Sequence, residues 1–296
     1  MKLQGSICAL ATPFEKAGAL DLDAFGRLID WQLEGGTQAL VVAGSTGEAH
    51  FLEHDEYSRL LGFAVERVAG RVPVIAGTGE AGTAKTVRLT RHAASLGADA
   101  ALVVAPYYVR PTQHGMIRHF LEVAEQGGLP VIVYNVPSRT ACDLLPASVE
   151  ALRDHPRIVG IKEAVAGSER IKAVAELARE DFVYLSGDDE SAADAMLAGA
   201  SGTISVMANA VPGAFRAMCE VAVHGDRDET RVRDAALEPL RRALACAPNP
   251  IPVKAALAML GIGDGSLRLP LEALQEDSAR QAIRDTLTRL APVRGA

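Results

Sequence analysis

Eight short apolar runs, separated by amphipathic stretches, constrain this sequence more than any other feature. They occupy residues 6–12, 39–45, 73–78, 100–106, 130–135, 158–163, 183–188 and 202–207. None alternates strictly between apolar and polar side chains. Each therefore reads as a strand buried on both faces, the habit of parallel sheets covered by helices. Helical periodicity fills residues 23–34, 83–96, 115–126, 146–153, 168–178 and 191–197. The first of these follows an acidic cap region at 21–23, and the second stops at Gly97. Eight β–α beats with no linker between them predict a single α/β (β/α)8 TIM barrel. A doubly wound sheet would need fewer strands and a composition break between its halves, and there is no such break. After the eighth run the alternation stops. Residues 226–246, 253–260 and 271–290 read as helices between Pro- and Gly-rich turns. The expected organisation is a barrel over residues 1–224 carrying a helical C-terminal domain over 225–296.

A chain of 296 residues is long enough to bury a full core. Acids outnumber bases 37 to 30 and no basic block interrupts the chain, which argues against a nucleic-acid or anionic-membrane surface. The apolar stretch at 7–11 ends before Pro13, too short for a signal-peptide core, and no segment nears the ~20 apolar residues of a membrane span. Cys8, Cys142, Cys219 and Cys246 are far apart with no C-x-x-C pair, as reduced thiols of a cytoplasmic protein would be.

Two motifs invite over-reading. Residues 77–82 spell G-x-G-x-x-G, but the acidic residue at the right distance, Asp99, precedes its strand rather than ending it. A glycine-rich βα turn accounts for the pattern better than a dinucleotide site. Residues 50–54 spell H-x-x-E-H, yet the pair falls in an expected βα loop and no third ligand is signalled, so no metal is expected. The other histidines are expected to face solvent.

Barrel chemistry comes from the C-terminal ends of strands and the loops after them. Those positions hold Gly44-Ser45-Thr46-Gly47-Glu48, Pro106-Tyr107-Tyr108, Tyr134 to Thr140, Gly160-Ile161-Lys162-Glu163, Gly187-Asp188-Asp189, and Ile204. A lysine inside an apolar strand is costly unless it is paired or functional. Desolvation disfavours an ammonium and favours the neutral amine that attacks a carbonyl. Position alone leaves two readings of Lys162: a nucleophile, or a mouth lysine paired with Glu163. Its surroundings favour the first. Tyr134 ends the neighbouring strand and offers a proton relay. Ser45 and Thr46 offer hydroxyls and backbone N–H groups to a small carboxylate. Arg139 offers a bidentate clamp to a second one. Lysine, tyrosine, hydroxyl pair and arginine at one barrel mouth fit a Schiff-base lyase acting on carboxylated substrates.

At these residues the chain resembles the dihydrodipicolinate synthase and N-acetylneuraminate lyase superfamily, class I lyases that form a Schiff base with pyruvate. The likeness runs nearly end to end and includes the late run Asn249-Pro250-Ile251-Pro252-Val253-Lys254. Residues Pro137-Ser138-Arg139-Thr140 and Tyr108 make it most similar to the synthase branch, which condenses pyruvate with aspartate 4-semialdehyde. The resemblance implies Lys162 as the Schiff-base lysine and Tyr134 as proton donor and acceptor, with Ser45 and Tyr108 completing the relay. It implies that Thr46, Ile204 and Gly187 contact substrate, that Arg139 binds the semialdehyde carboxylate, and that Tyr108 reaches across a subunit interface. It further implies a homotetramer and no metal or organic cofactor, since the lysine supplies the electron sink. Ser45 stands where the synthases have threonine, with the hydroxyl kept. The alternatives are a sugar-acid aldolase of the same superfamily, which would not need Arg139, and a non-catalytic ligand-binding barrel, which would not keep both Lys162 and Tyr134. Lysine-inhibited relatives bind lysine through a histidine pair, an asparagine, a glutamate and a tyrosine. The positions here are His54, Tyr57, Ala81, Lys85 and Tyr107, so weak or absent lysine sensitivity is expected.

Overall fold

The computed structural model describes residues 1–290. In chain order the first half comprises β1 (Gly5–Ala9), α1 (Leu22–Glu34), β2 (Ala39–Val42), α2 (His54–Val68), β3 (Val74–Gly77), α3 (Thr83–Ser95), β4 (Ala100–Val104), α4 (Gln113–Gln126) and β5 (Val131–Asn135). Then follow α5 (Pro137–Thr140), α6 (Pro146–Leu152), β6 (Ile158–Glu163), α7 (Ser168–Ala175), β7 (Val183–Ser186), α8 (Ala192–Leu197), β8 (Gly202–Ser205) and α9 (Pro212–Val223). Three more helices complete it: α10 (Arg227–Leu244), α11 (Ile251–Met259) and α12 (Asp277–Leu290). The eight strands are parallel and close in sequence order, β1 pairing with both β2 and β8. This is the expected (β/α)8 barrel.

Strand alternation sorts the side chains into two cores. Ile7, Val41, Ile75, Leu102, Ile132 and Leu185 fill the barrel interior. Cys8, Leu40, Ala76, Val103, Val133 and Tyr184, their neighbours in sequence, face outward and pack under the helices. The same alternation turns Tyr134 inward with the interior cluster.

Several strands stop short of the apolar runs that announce them: β1 at Ala9, β2 at Val42, β4 at Val104. The chain beyond each end leaves the ladder but stays buried, as Leu10, Ala11, Ala43 and Ala105 do, so its composition remains strand-like. Besides the four-residue α5, two helices were not read from the sequence. In α2, Tyr57, Leu60, Leu61, Ala64 and Val68 form the buried stripe, and the H-x-x-E-H pattern straddles its start: His50 lies in a separate 3-10 turn, Ala49–Phe51. The second, α9, packs on β1 and α10 through Phe215, Met218 and Cys219 and supplies the barrel's eighth helix. Helix α12 begins at Asp277 rather than 271, because residues 271–276 are non-helical chain along which Leu271 reaches the barrel mouth. The last six residues of the expected C-terminal domain lie outside the described residues. His119 departs from the expected solvent-facing histidines. It is buried, hydrogen-bonds Thr83 through Nδ1 at 3.0 Å, and burial pushes its pKa down to about 4.

Candidate active site

The β5–β6 register sets Lys162 directly beside Tyr134. Lys162 is 4% exposed and its Nζ lies 4.3 Å from the centroid of the Tyr134 ring. Glu163, one residue on, points the opposite way, into the layer beneath the helices. There its carboxylate accepts from Asn135 Nδ2 (3.0 and 3.2 Å), Val165 N (2.9 Å) and Arg170 (3.3 Å). The pairing of Lys162 with Glu163 that sequence position alone left open is therefore excluded by strand alternation. Lys162 makes no ion pair among the described residues, which leaves its amine facing the barrel mouth.

A cavity of about 350 Å³ opens above the lysine. Lys162, Tyr134, Ser45 and Arg139 line it together with Glu80, Tyr107 and Asn249. The loop after β2 makes a tight turn, Gly47 N donating to Gly44 O at 3.0 Å, which sets Ser45 at the rim. Short α5, opened by Pro137 at its first turn, carries Arg139 to the same rim, where its guanidinium donates to Asn249 O at 3.2 Å. Gly77 leaves room for this arrangement: a β-carbon there would stand 2.0 Å from the carbonyl oxygen of Ala43.

The remaining expected residues fall into three places. Thr46 is buried beside the cavity, its Oγ1 accepting from Asn249 Nδ2 at 3.0 Å. Ile204 is part of the inner core, and Gly187 packs against the stem of Lys162; neither belongs to the cavity wall. Tyr108 is 89% exposed with φ of 70°, turned away from the cavity of its own chain.

Sequence reasoning missed three groups here. Asn135, Asp143, Glu163 and Arg170 form a partly buried polar cluster behind Lys162 and Tyr134, with Asn135 Nδ2 also donating to Asp143 at 2.8 Å. Burial lifts the Glu163 carboxyl to about 7 despite Val165 N–H, Arg170 and Asn135. Tyr107 donates to Glu80 at 3.0 Å, and burial with that carboxylate pushes its hydroxyl up to about 12. Lys254 pairs with Glu48 inside the protein and lies 4.3 Å from the Phe14 ring centroid, while Arg268 N donates to the other Glu48 oxygen at 3.1 Å. A lysine in the apolar stretch of α11 was the one sequence signal for this last group. No set of three or more His, Cys, Asp or Glu side chains that could hold a metal ion occurs among the described residues.

The Dihydrodipicolinate synthetase family profile matches residues 2–290. The chain belongs to that family. A 4-hydroxy-tetrahydrodipicolinate synthase from Xanthomonas axonopodis pv. citri (strain 306) is 58% identical over 287 residues, 97% of this chain and 94% of its own length. The chloride-inhibited dihydrodipicolinate synthase from Acinetobacter baumannii, solved with pyruvate, is 41% identical with a TM-score of 0.94, covering 97% of this chain and 98% of that one. A solved monomeric dihydrodipicolinate synthase variant is 39% identical, also with a TM-score of 0.94, covering 97% of this chain and 96% of that one. These likenesses support the synthase reading over the sugar-acid aldolase.

Proposed function

We propose that this enzyme condenses pyruvate with L-aspartate 4-semialdehyde to 4-hydroxy-tetrahydrodipicolinate, the reaction that serves lysine and diaminopimelate biosynthesis. The observation that carries the reading is the buried, unpaired Lys162 amine beside Tyr134 at the floor of a cavity rimmed by Ser45 and Arg139. The neutral amine adds to the ketone carbon of pyruvate, and the carbinolamine loses water while Tyr134 passes protons. The imine then loses a methyl proton to give an enamine. The enamine carbon bonds to the aldehyde carbon of the semialdehyde, whose oxygen takes up a proton. The substrate's own amine finally displaces Lys162, closing the ring and freeing the lysine. Thr46 holds the pyruvate carboxylate and Arg139 the semialdehyde carboxylate. Ile204 and Gly187, which the resemblance assigns to the substrate, act from behind the cavity wall, Gly187 by packing against the stem of Lys162.

Tyr108 belongs to the same reading through a second copy of the chain. Its exposure and positive φ present the hydroxyl outward, where a neighbouring subunit's mouth receives it and Ser45 completes the relay. The enzyme acts as a homo-oligomer, the tetramer being the arrangement the resemblance implies. Its four free cysteines suit a cytoplasmic location.

Borohydride reduction in the presence of pyruvate tests the mechanism: a reduced pyruvyl mass maps to Lys162, and a mass on another lysine overturns it. A coupled assay with pyruvate and aspartate semialdehyde, run beside N-acetylneuraminate cleavage, separates synthase from sugar-acid aldolase.

A further inference from the structure

Two substrate-binding side chains, Thr46 after β2 and Arg139 after β5, both end on one residue that neither loop contains. Asn249 Nδ2 donates to Thr46 Oγ1 across 203 positions of sequence, and Asn249 O accepts from Arg139 across 110. We propose that Asn249 is a positioning residue, its side-chain amide orienting the Thr46 hydroxyl and its backbone carbonyl the Arg139 guanidinium. The inference rests on the reading above, in which those two groups hold the two substrates.

The hydrogen-bond inventory gives the contact a direction. A hydroxyl has one proton and two lone pairs. The bond from Asn249 fills one lone pair and is the one hydrogen bond Thr46 Oγ1 makes among the described residues, so the proton is left for an acceptor on the pyruvate side. Arg139 is exposed and meets no carboxylate among the described residues, so the Asn249 carbonyl is what anchors its long side chain. Meanwhile Asn249 Oδ1 is shielded from solvent and has no donor among the described residues. An orphaned buried acceptor is unfavourable, and local rules of this kind are broken chiefly at functional sites. The amide is held where its N–H serves Thr46, not where both of its ends are satisfied.

The segment bearing Asn249 is also rigidly referenced to the loop it serves. Five residues on, Lys254 pairs with Glu48, two residues beyond Thr46. The chain from 249 to 254 thus spans the loop from 46 to 48 with a bond at each end, one at the cavity and one in the interior.

The proposal separates two functions of one residue, which makes it testable. Asn249→Asp and Asn249→Leu both remove the N–H donor while keeping the backbone carbonyl and nearly the same volume. With pyruvate alone, the pyruvate concentration giving half-maximal borohydride trapping on Lys162 rises about tenfold in both variants, the size expected for one lost hydrogen bond. The KM for semialdehyde at saturating pyruvate stays within about twofold, because the carbonyl still anchors Arg139. Adding Thr46→Val to Asn249→Leu weakens pyruvate use little further, since the two residues act as one unit. Thermal midpoints are recorded alongside, and the Asp variant keeps the comparison open if the Leu variant fails to fold. Wild-type half-saturation in both variants, or additive effects in the double variant, overturns the role of Asn249. So does a parallel rise of both constants with a lowered thermal midpoint, which marks a merely structural seat. A wild-type enzyme that traps no pyruvate on Lys162 overturns the underlying reading instead, and this one with it.

Discussion

Gly187 lies so close to Lys162 that a β-carbon on it would stand 2.9 Å from both Cγ and Cε of the lysine. Its backbone is fixed from the other side, Gly187 N donating to Glu163 O at 2.7 Å. The residue after β7 therefore sets how Lys162, the proposed Schiff-base lysine, stands in the barrel. Gly187→Ala pushes the amine off its line toward the substrate carbon. Displacements near 1 Å cost on the order of a hundredfold in rate. Single-turnover imine trapping should slow by that order while the thermal midpoint moves little, and an unchanged rate would show that Lys162 readjusts freely.

Arg139→Ala removes the guanidinium but leaves α5 and the Lys162 pocket in place. A lost charge-assisted contact is worth about 1.5–3 kcal/mol, or one to two decades in kcat/KM for the semialdehyde. Pyruvate trapping by borohydride survives. Equal impairment of both substrates, read from initial rates at several concentrations of each, would make Arg139 a structural residue.

Glu163 gives the fold a pH dependence of known sign. Its carboxyl titrates near 4.5 in the unfolded chain and near 7 in the native state, lifted by burial against the opposing pull of Val165 N–H, Arg170 and Asn135. The native state keeps a proton that the unfolded chain has already lost between those values. The stabilisation from this group is complete below about pH 4.5 and is lost as pH rises through about 7. Glu163→Gln abolishes that slope. Denaturant titrations of wild type and variant at pH 5 and pH 8 should differ in their pH dependence by on the order of 3 kcal/mol, the wild type losing more at pH 8. A difference that ignores pH would place the titration elsewhere.

Lysine should inhibit weakly or not at all. Tyr57 stands at the second histidine position and turns its hydroxyl to Gly77 O at 3.2 Å, while the kept tyrosine, Tyr107, already donates to Glu80. Lys85 sets a positive charge where the resemblance implies a glutamate in lysine-inhibited relatives. Losing such a pairing costs about 2–5 kcal/mol before the repulsion is added. Initial rates titrated with L-lysine at subsaturating pyruvate decide the matter, and submillimolar inhibition would show that Glu80 has taken over the ligand's ammonium.

Lys162 was legible because a lysine inside an apolar strand has few innocent explanations, and the barrel because eight two-sided strands have few other homes. The partner of Lys162 was not legible from proximity in sequence. Glu163 is its neighbour in the chain but lies on the other face of the strand, while Tyr134 faces it only because β5 and β6 align after a register shift at Val131 and Ile132. Asn249 was visible only as part of a run, since its contacts join loops that the surrounding helices bring together. The beginning of α2 hid behind two histidines at metal-like spacing that the structure sends apart, His50 against Tyr107 and His54 against His92.

The ion pair of Lys254 with Glu48 joins residues 206 positions apart. A ribosome thus exposes the carboxylate long before it delivers the ammonium, and for most of synthesis Glu48 has no cation to accompany it inward. The rim carrying Ser45 and Thr46 receives this fastening only when the chain has emerged as far as Lys254. Chains halted before α11 therefore hold Lys162 and Tyr134 without a finished mouth around them.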